Sequence, residues 1–253
     1  MQPSRWRDGG LGMTITPSLT TDKHFWPSDY SGIIMQYLLA HSGPLQGSRV
    51  CDIGTGSGIL LATALQLGAR DVVATDVDPS ALDVARCRLL QGFPDAAPEL
   101  YLGSIWDALP AKRQFDLVLA NLPNFPAVAL QSDARSKHWS VGGADGRAAL
   151  DPFLEGLPAR LAVGGSAVFT QNRCIGLDIT LHKLRHAGLT PRVEGTTLIP
   201  IDPKKIDALS PVSNEPDGIV TVAGFTFLEV TLVVADRAAP MSAPPTEQSE
   251  HAS

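Results

Sequence analysis

Two acidic residues and a run of glycines carry the first chemical signal. In Val50-Cys51-Asp52-Ile53-Gly54-Thr55-Gly56-Ser57-Gly58 a short apolar run enters three glycines at alternate positions, and a helix-forming stretch follows. Glycines at such a place let the backbone turn sharply and let a ligand approach without Cβ clashes. Asp76 closes the next apolar run, 24 positions after Asp52. An acid there accepts hydrogen bonds from the ribose hydroxyls of a nucleoside. The spacing is G-x-G-x-G and not G-x-G-x-x-G, and a carboxylate just before the turn suits an ammonium group better than a pyrophosphate. A nicotinamide oxidoreductase therefore fits less well. The plainer alternative is a turn that only packs helix on strand. A further segment, Asn121-Leu122-Pro123-Asn124, follows the apolar run Phe115–Ala120. There Asn121 reads either as a turn former or as a functional side chain at a strand end.

These residues need strands to carry them and helices to cover the strands. Arg49–Ile53, Asp71–Asp76, Glu99–Leu102, Phe115–Ala120 and Ser166–Thr170 read as short apolar strands. Gly58–Leu67 reads as a buried helix stopped by Gly68, and Asp78 with Pro79 starts a second one over Ser80–Gln91. Gly146–Leu161 reads as a helix ending at Gly164-Gly165, and Leu177, Leu181 and Leu184 mark another that stops at Gly188. Two final strands, near 191–199 and 225–235, have no helical pattern between them and are expected to pair antiparallel. The Pro-containing insert Ile201–Gly218 is open to two readings, a lid or a surface loop. The fold class is thus α/β, a doubly wound, mostly parallel sheet.

Composition narrows the function classes. The chain has 253 residues, 44% of them hydrophobic, which suffices for a full core. Lys plus Arg is 20 against 26 for Asp plus Glu, a net charge of −6. A general nucleic-acid binder needs the opposite balance, so a nucleic-acid partner is not expected. Cys51, Cys87 and Cys174 are scattered, which argues against disulfides and against a zinc site, and Cys51 and Cys87 read as buried thiols. No apolar stretch approaches a membrane span, so a cytoplasmic location is expected. Residues 1–20 are expected to be flexible, 21–237 to form one domain with 21–48 as a lead-in, and 238–253 to be a disordered tail.

The motifs together resemble a known family. D-x-G-x-G-x-G followed by TDVDPSAL is similar to motifs I and II of class I S-adenosylmethionine-dependent methyltransferases. The segment FDLVLA-Asn121-Leu122-Pro123-Asn124 resembles FDLIVSNPPY of the HemK family of protein glutamine N5-methyltransferases. Trp139-Ser140-Val141-Gly142-Gly143-Ala144-Asp145-Gly146-Arg147 is similar to that family's W-x-G-G-x-D-G-R, and His24–Tyr30 resembles its upstream P-S-x-D-T. The resemblance covers roughly residues 20–235.

The resemblance implies a seven-stranded sheet with an antiparallel final strand. It also implies S-adenosyl-L-methionine as cofactor, with S-adenosyl-L-homocysteine as product and no metal. Asp52, Gly54, Thr55, Gly56 and Gly58 would then surround the methionine part, Asp76 the ribose and Val77 the adenine. Ser104, with Ile105 and Trp106 beside it, stands where the family usually has an acid toward the adenine amine. Asn121 and Pro123 would be the catalytic pair, Asn121 also bordering the cofactor.

The acceptor side departs from the family. Leu122 and Asn124 replace a proline and the stacking ring, which points to a changed substrate. Trp26, Tyr30, Asn124, Phe125, His138 and Trp139 are therefore expected to line an acceptor site for a small planar or aromatic molecule, an indole or amine metabolite. A protein glutamine substrate is the second reading, and a cofactor-binding but inactive regulatory subunit is the reading from another class.

Overall fold

A computed structural model describes residues 26–41, 43–126, 141–202 and 217–239. In chain order the elements are α1 (Asp29–Ala40), β1 (Arg49–Ile53), α2 (Ile59–Gln66), β2 (Asp71–Asp76), α3 (Pro79–Gly92), β3 (Glu99–Leu102) and β4 (Phe115–Ala120). There follow α4 (Leu150–Arg160), β5 (Leu161–Asn172), α5 (Leu177–His186), β6 (Thr190–Pro200), β7 (Ile219–Val222) and β8 (Phe225–Asp236). The strands make one sheet in the order β3-β2-β1-β4-β5-β8-β6, with β7 beside β8. β1 to β5 run parallel, and β8 lies antiparallel between β5 and β6.

Apolar residues on both faces of the central strands explain the two-sided cover. Cys51, Ile53, Phe115 and Phe169 point to one face and pack with Phe153 and Leu157 of α4 and Leu184 of α5. Val50, Leu117, Leu119 and Val168 point to the other and pack with Ile34 and Leu38 of α1 and Leu60, Leu61 and Ala64 of α2. The strand order reverses between β1 and β4, with β2 and β3 to one side and β5 to the other, and this opens the crevice at the strand C-termini, where ligands of such sheets bind.

Four expectations need correction. The sheet has eight strands and not seven, because Ile219–Val222 folds back on β8 through Ala223 and Gly224, at φ of 51° and 83°. Two positive φ values make the tight turn that matches strand twist. The helix expected from Gly146 starts only at Leu150, since Gly146 is left-handed at φ 82° and Arg147 turns its side chain inward. Its strand begins at Leu161, so Gly164-Gly165 does not end a helix. Those glycines sit inside β5, where the register with β4 shifts and a Cβ on Gly165 would lie 2.9 Å from the Phe115 carbonyl. Cys87 is exposed, on the face of α3 opposite Ala85 and Leu89, while Cys51 is buried as expected.

The strand Ser166–Thr170 and the antiparallel pair at the end of the chain lie where the sequence put them. α1 was not read from the sequence; Ser28 caps it by accepting the Ser31 N–H at 3.3 Å. The expectations for residues 1–20, and for all but the first two residues of 238–253, fall outside the described residues. So does most of the insert Ile201–Gly218. No helix among the described residues is long and apolar enough to cross a membrane.

Candidate active site

The glycine turn is built by its neighbours. Gly54 and Gly56 take left-handed φ values of 72° and 50°. The N–H groups of Gly54 and Thr55 donate to the Thr75 carbonyl, at 2.9 and 3.1 Å, so the turn leans on the end of β2. Gly58 has another task. At φ 75° it begins α2, and a Cβ there would sit 2.9 Å from the Ala85 Cβ, so the glycine lets α2 and α3 touch. Gly58 packs two helices and does not line the cleft.

Asp76 closes the turn from the other side. Its Oδ2 accepts the Gly56 N–H at 2.8 Å and its Oδ1 accepts the Asp78 N–H at 2.9 Å. Burial raises its pKa, opposed by those two N–H groups. Each oxygen retains a lone pair, and the residue lines the cleft. Asp52 lies deeper. Its side chain is fully buried behind the turn, Oδ2 accepts the Thr55 hydroxyl at 2.8 Å, and Oδ1 has no partner. Burial pushes this carboxyl up to about 7, with the Asp76 charge adding to the effect.

The third wall follows β3. Val77, 70% exposed, and Ser104 and Ile105 line the cleft. Ile105 holds φ 48° while its carbonyl accepts the Thr75 hydroxyl at 3.0 Å. Trp106 is a fixed wall: it donates to the Phe153 carbonyl at 3.1 Å, stacks on the Phe153 ring, and leaves no room for a Cβ on Gly156.

Across the cleft, Asn121 ends β4 with its carboxamide held from three sides. Nδ2 donates to the hydroxyls of Ser28 at 3.1 Å and Ser31 at 3.0 Å, and Oδ1 accepts from Thr170 at 3.3 Å. Pro123, Asn124 and Phe125 continue the lining. The Asn124 carbonyl accepts from Asn172, whereas its side-chain Oδ1 is buried without a partner. Tyr30 donates to Asn172 Oδ1 at 2.6 Å and meets Phe125 edge-on at 6.4 Å. Trp26 borders the cleft and is 70% exposed. His138 and Trp139 lie outside the described residues.

The stretch 142–147 marked by the resemblance shapes this end, together with Thr170 and Asn172, which carried no legible signal. Gly142 and Gly146 press against the N-L-P-N turn: a Cβ on Gly142 would lie 2.7 Å from the Pro123 carbonyl, and one on Gly146 3.0 Å from that of Asn124. Arg147, buried, anchors the segment through Asp151, the Ile175 and Gly176 carbonyls and the Thr180 hydroxyl. Thr170 and Asn172 on β5 come into range only because β5 lies beside β4.

The resulting cleft has a volume of about 1390 Å³. Asp76, Asp78, Asp107 and Glu155 line it, and no Lys, Arg or His does among the described residues. Such a field attracts cations and repels phosphates. An S-adenosylmethionine cofactor fits these residues, because the left-handed glycines and the acid-only lining suit a ligand with ammonium and sulfonium charges; Asp52, with its unpartnered oxygen, stands behind the glycine turn and outside the described lining.

Comparison with known proteins agrees on the fold. Residues 37–143 match the family described as ribosomal protein L11 methyltransferase. The L11 methyltransferase of Laribacter hongkongensis is 37% identical over 154 residues, covering 59% of this chain and 48% of that protein. A Methanocaldococcus jannaschii protein named for N5-glutamine methylation is 25% identical over 194 residues, covering 76% and 92%. Among solved structures, the E. cuniculi Mtq2–Trm112 complex, described as responsible for methylation of the eRF1 termination factor, superposes with TM-score 0.53 at 18% identity, covering 85% and 98%. The chain spans about half the length, or less, of the L11 methyltransferases it matches.

These relatives are named for methylating proteins. That overturns the expected small planar or aromatic acceptor, which rested on Leu122 and Asn124 in place of the family's proline and ring. By sheet order and glycine turn the chain has the class I methyltransferase fold, and it is similar to the ribosomal protein L11 and protein N5-glutamine methyltransferases.

Proposed function

We propose that the chain transfers a methyl group from S-adenosylmethionine to a side-chain nitrogen of a protein, with a glutamine amide as first candidate. The observation that carries this reading is the fixed Asn121 carboxamide at the cleft. Ser28 and Ser31 hold its Nδ2, so Oδ1 is oriented with capacity for one further N–H besides Thr170. The match to the N5-glutamine relative over 92% of that protein supports an amide acceptor. The acid-only lining of the cleft speaks against a phosphate-rich acceptor.

When bound, the cofactor supplies an electrophilic methyl on a sulfonium centre. The protein's own part is positioning. Asp76 would take the ribose hydroxyls, Val77, Ser104 and Ile105 would border the base, and Trp106 would hold that wall in place. Asp52 and the glycine turn would take the amino-acid end. On the other side, Asn121 Oδ1 and the Leu122 carbonyl would accept the two N–H bonds of the incoming nitrogen, aligning its lone pair and drawing off positive charge as it forms. Tyr30 and Phe125 would supply an aromatic wall in place of the ring missing at Asn124.

Tritiated S-adenosylmethionine and a bacterial extract freed of small molecules test the reading. Label that precipitates with acid, survives nuclease and is released by protease is the predicted result. Label that nuclease releases, or that appears only when small aromatic amines are added back, would overturn it.

A further inference from the structure

Beside the acceptor end of the cleft lies a second, smaller cavity of about 130 Å³. Tyr30 and Phe125 line both spaces, so the edge-on ring pair is the partition between them. The remaining walls come from the far side of the sheet: Ile199 and Pro200 end β6, Ile201 follows, and Leu228 of β8, almost fully buried, belongs to the same wall. Asp202 is the one charged residue among the described lining.

Tyr30 is tied through its hydroxyl to Asn172, so its ring cannot fold in to fill the space without breaking that bond. Phe125 is fixed at its backbone, where its carbonyl accepts the Gly142 N–H at 2.7 Å, and its ring meets Tyr30 edge-on. Close packing is the rule in protein interiors, and an apolar cavity of about 150 Å³ is large enough to take up a benzene-sized guest. This half-open pocket is close to that size, and its described lining is two aromatic rings, two isoleucines, a leucine and a proline, with Asp202 as the one charged residue. Its natural occupant is one branched aliphatic side chain.

We propose that this cavity is a recognition pocket for an aliphatic residue next to the methylated one in the protein substrate. The proposal rests on the protein-methylation reading above and deepens it, turning a reaction at one nitrogen into selection of a short sequence. An extended peptide places neighbouring side chains on opposite sides of its backbone. A chain running past the Tyr30–Phe125 pair can therefore send the acceptor side chain into the main cleft and its neighbour into the small pocket. A small-molecule acceptor would have no use for the second space. A glycine beside the acceptor would leave the pocket empty, and an acidic residue would bring a like charge beside Asp202.

Two measurements with the full chain test this, and only the second depends on catalysis. The first titrates N-acetyl-leucine N-methylamide into protein carrying 13C-labelled isoleucine and leucine methyl groups, with the aspartate analogue as control. Shifts at the Ile199, Ile201 and Leu228 methyls with the leucine probe alone are the predicted result. Ile201→Trp, which fills the pocket from a partly exposed position, should abolish the shifts at Ile199 and Leu228 and leave S-adenosylmethionine affinity unchanged. Absence of shifts in the native protein, or their persistence in that variant, overturns the pocket.

The second measurement compares methylation of peptides that carry one glutamine and differ in the residue beside it. Leucine, isoleucine or valine should exceed glycine and aspartate by about tenfold in kcat/KM, and Ile201→Trp should erase the preference. Equal rates for all neighbours would overturn the pocket. If no peptide is methylated, the methylation reading fails, and the leucine titration still decides the pocket.

Discussion

Replacing Asp52 with Asn removes a charge that the ligand-free protein holds at a cost. The carboxyl is fully buried, its Oδ1 has no partner, and burial lifts its pKa to about 7. Keeping it ionised above that pH costs on the order of 4 kcal/mol relative to an ordinary aspartate. An acid whose pKa is raised by folding adds stability below its unfolded pKa near 4, and that stability is lost as pH rises through about 7. Asp52→Asn should therefore stabilise the ligand-free protein at pH 8 by about 1–4 kcal/mol, and by only about a third as much at pH 5. The same variant should bind S-adenosylmethionine about ten- to a hundredfold more weakly, since the ammonium group loses its charged partner. In the native protein, affinity should climb as pH rises toward 7, by up to about tenfold per pH unit, because binding favours the ionised form. Urea melts at the two pH values and calorimetric titrations across pH 5.5–8.5 measure both effects. A variant destabilised equally at both pH values, with native affinity insensitive to pH, would refute the reasoning.

Three further outcomes follow from the same geometry. Asp76→Ala leaves the Gly56 and Asp78 N–H groups unpartnered and removes the ribose acceptor, so calorimetry should find cofactor affinity reduced by at least about 2 kcal/mol, with turnover falling alongside. Gly142→Ala would drive a Cβ into the Gly146 and Pro123 carbonyls, so steady-state kinetics should show turnover down at least tenfold with KM for the cofactor nearly unchanged. Arg147→Met removes five hydrogen bonds, one pair of them to the Asp151 carboxylate, and denaturant melts should report a loss of about 3–5 kcal/mol.

What the sequence disclosed was local. Asp52, the alternate glycines and Asp76 are legible because the turn and the strand that follows it form one short continuous unit, and each residue's type answers to a backbone need within it. The Asp78 cap and Pro79 mark the start of α3 for the same reason. At the acceptor end the lining residues Trp26, Tyr30, Asn121, Asn124 and Phe125 were legible, but the bonds that hold them were not, because they are assembled across the sheet. Ser28, Ser31 and Thr170 reach Asn121 from 93, 90 and 49 residues away. Asn172 joins Tyr30 from 142 away, and nothing in the spacing of these residues announces it.

The small-molecule acceptor, read from Leu122 and Asn124, is overturned by relatives named for methylating proteins. Tyr30 and Phe125, expected at this wall, bring two rings to it from different elements. Strand β7 was missed because its turn uses Ala223 at positive φ, a residue type that gives no turn signal. Gly146-Arg147 passed for the start of a helix because its apolar spacing continues into α4, and only the buried Arg147 network shows why the chain turns there instead.

The central claim, methyl transfer to a protein nitrogen, meets its most direct test in one mass measurement. Purified protein is incubated with S-adenosylmethionine bearing a trideuterated methyl group, together with a release factor and ribosomal protein L11 in separate reactions. Tandem mass spectrometry then locates the label. The account predicts a single trideuteromethyl on a side-chain nitrogen, a glutamine amide first, at a rate that collapses in Asn121→Ala while that variant still binds the cofactor. Label on neither protein, in a preparation that binds S-adenosylmethionine and methylates a small amine instead, would contradict it.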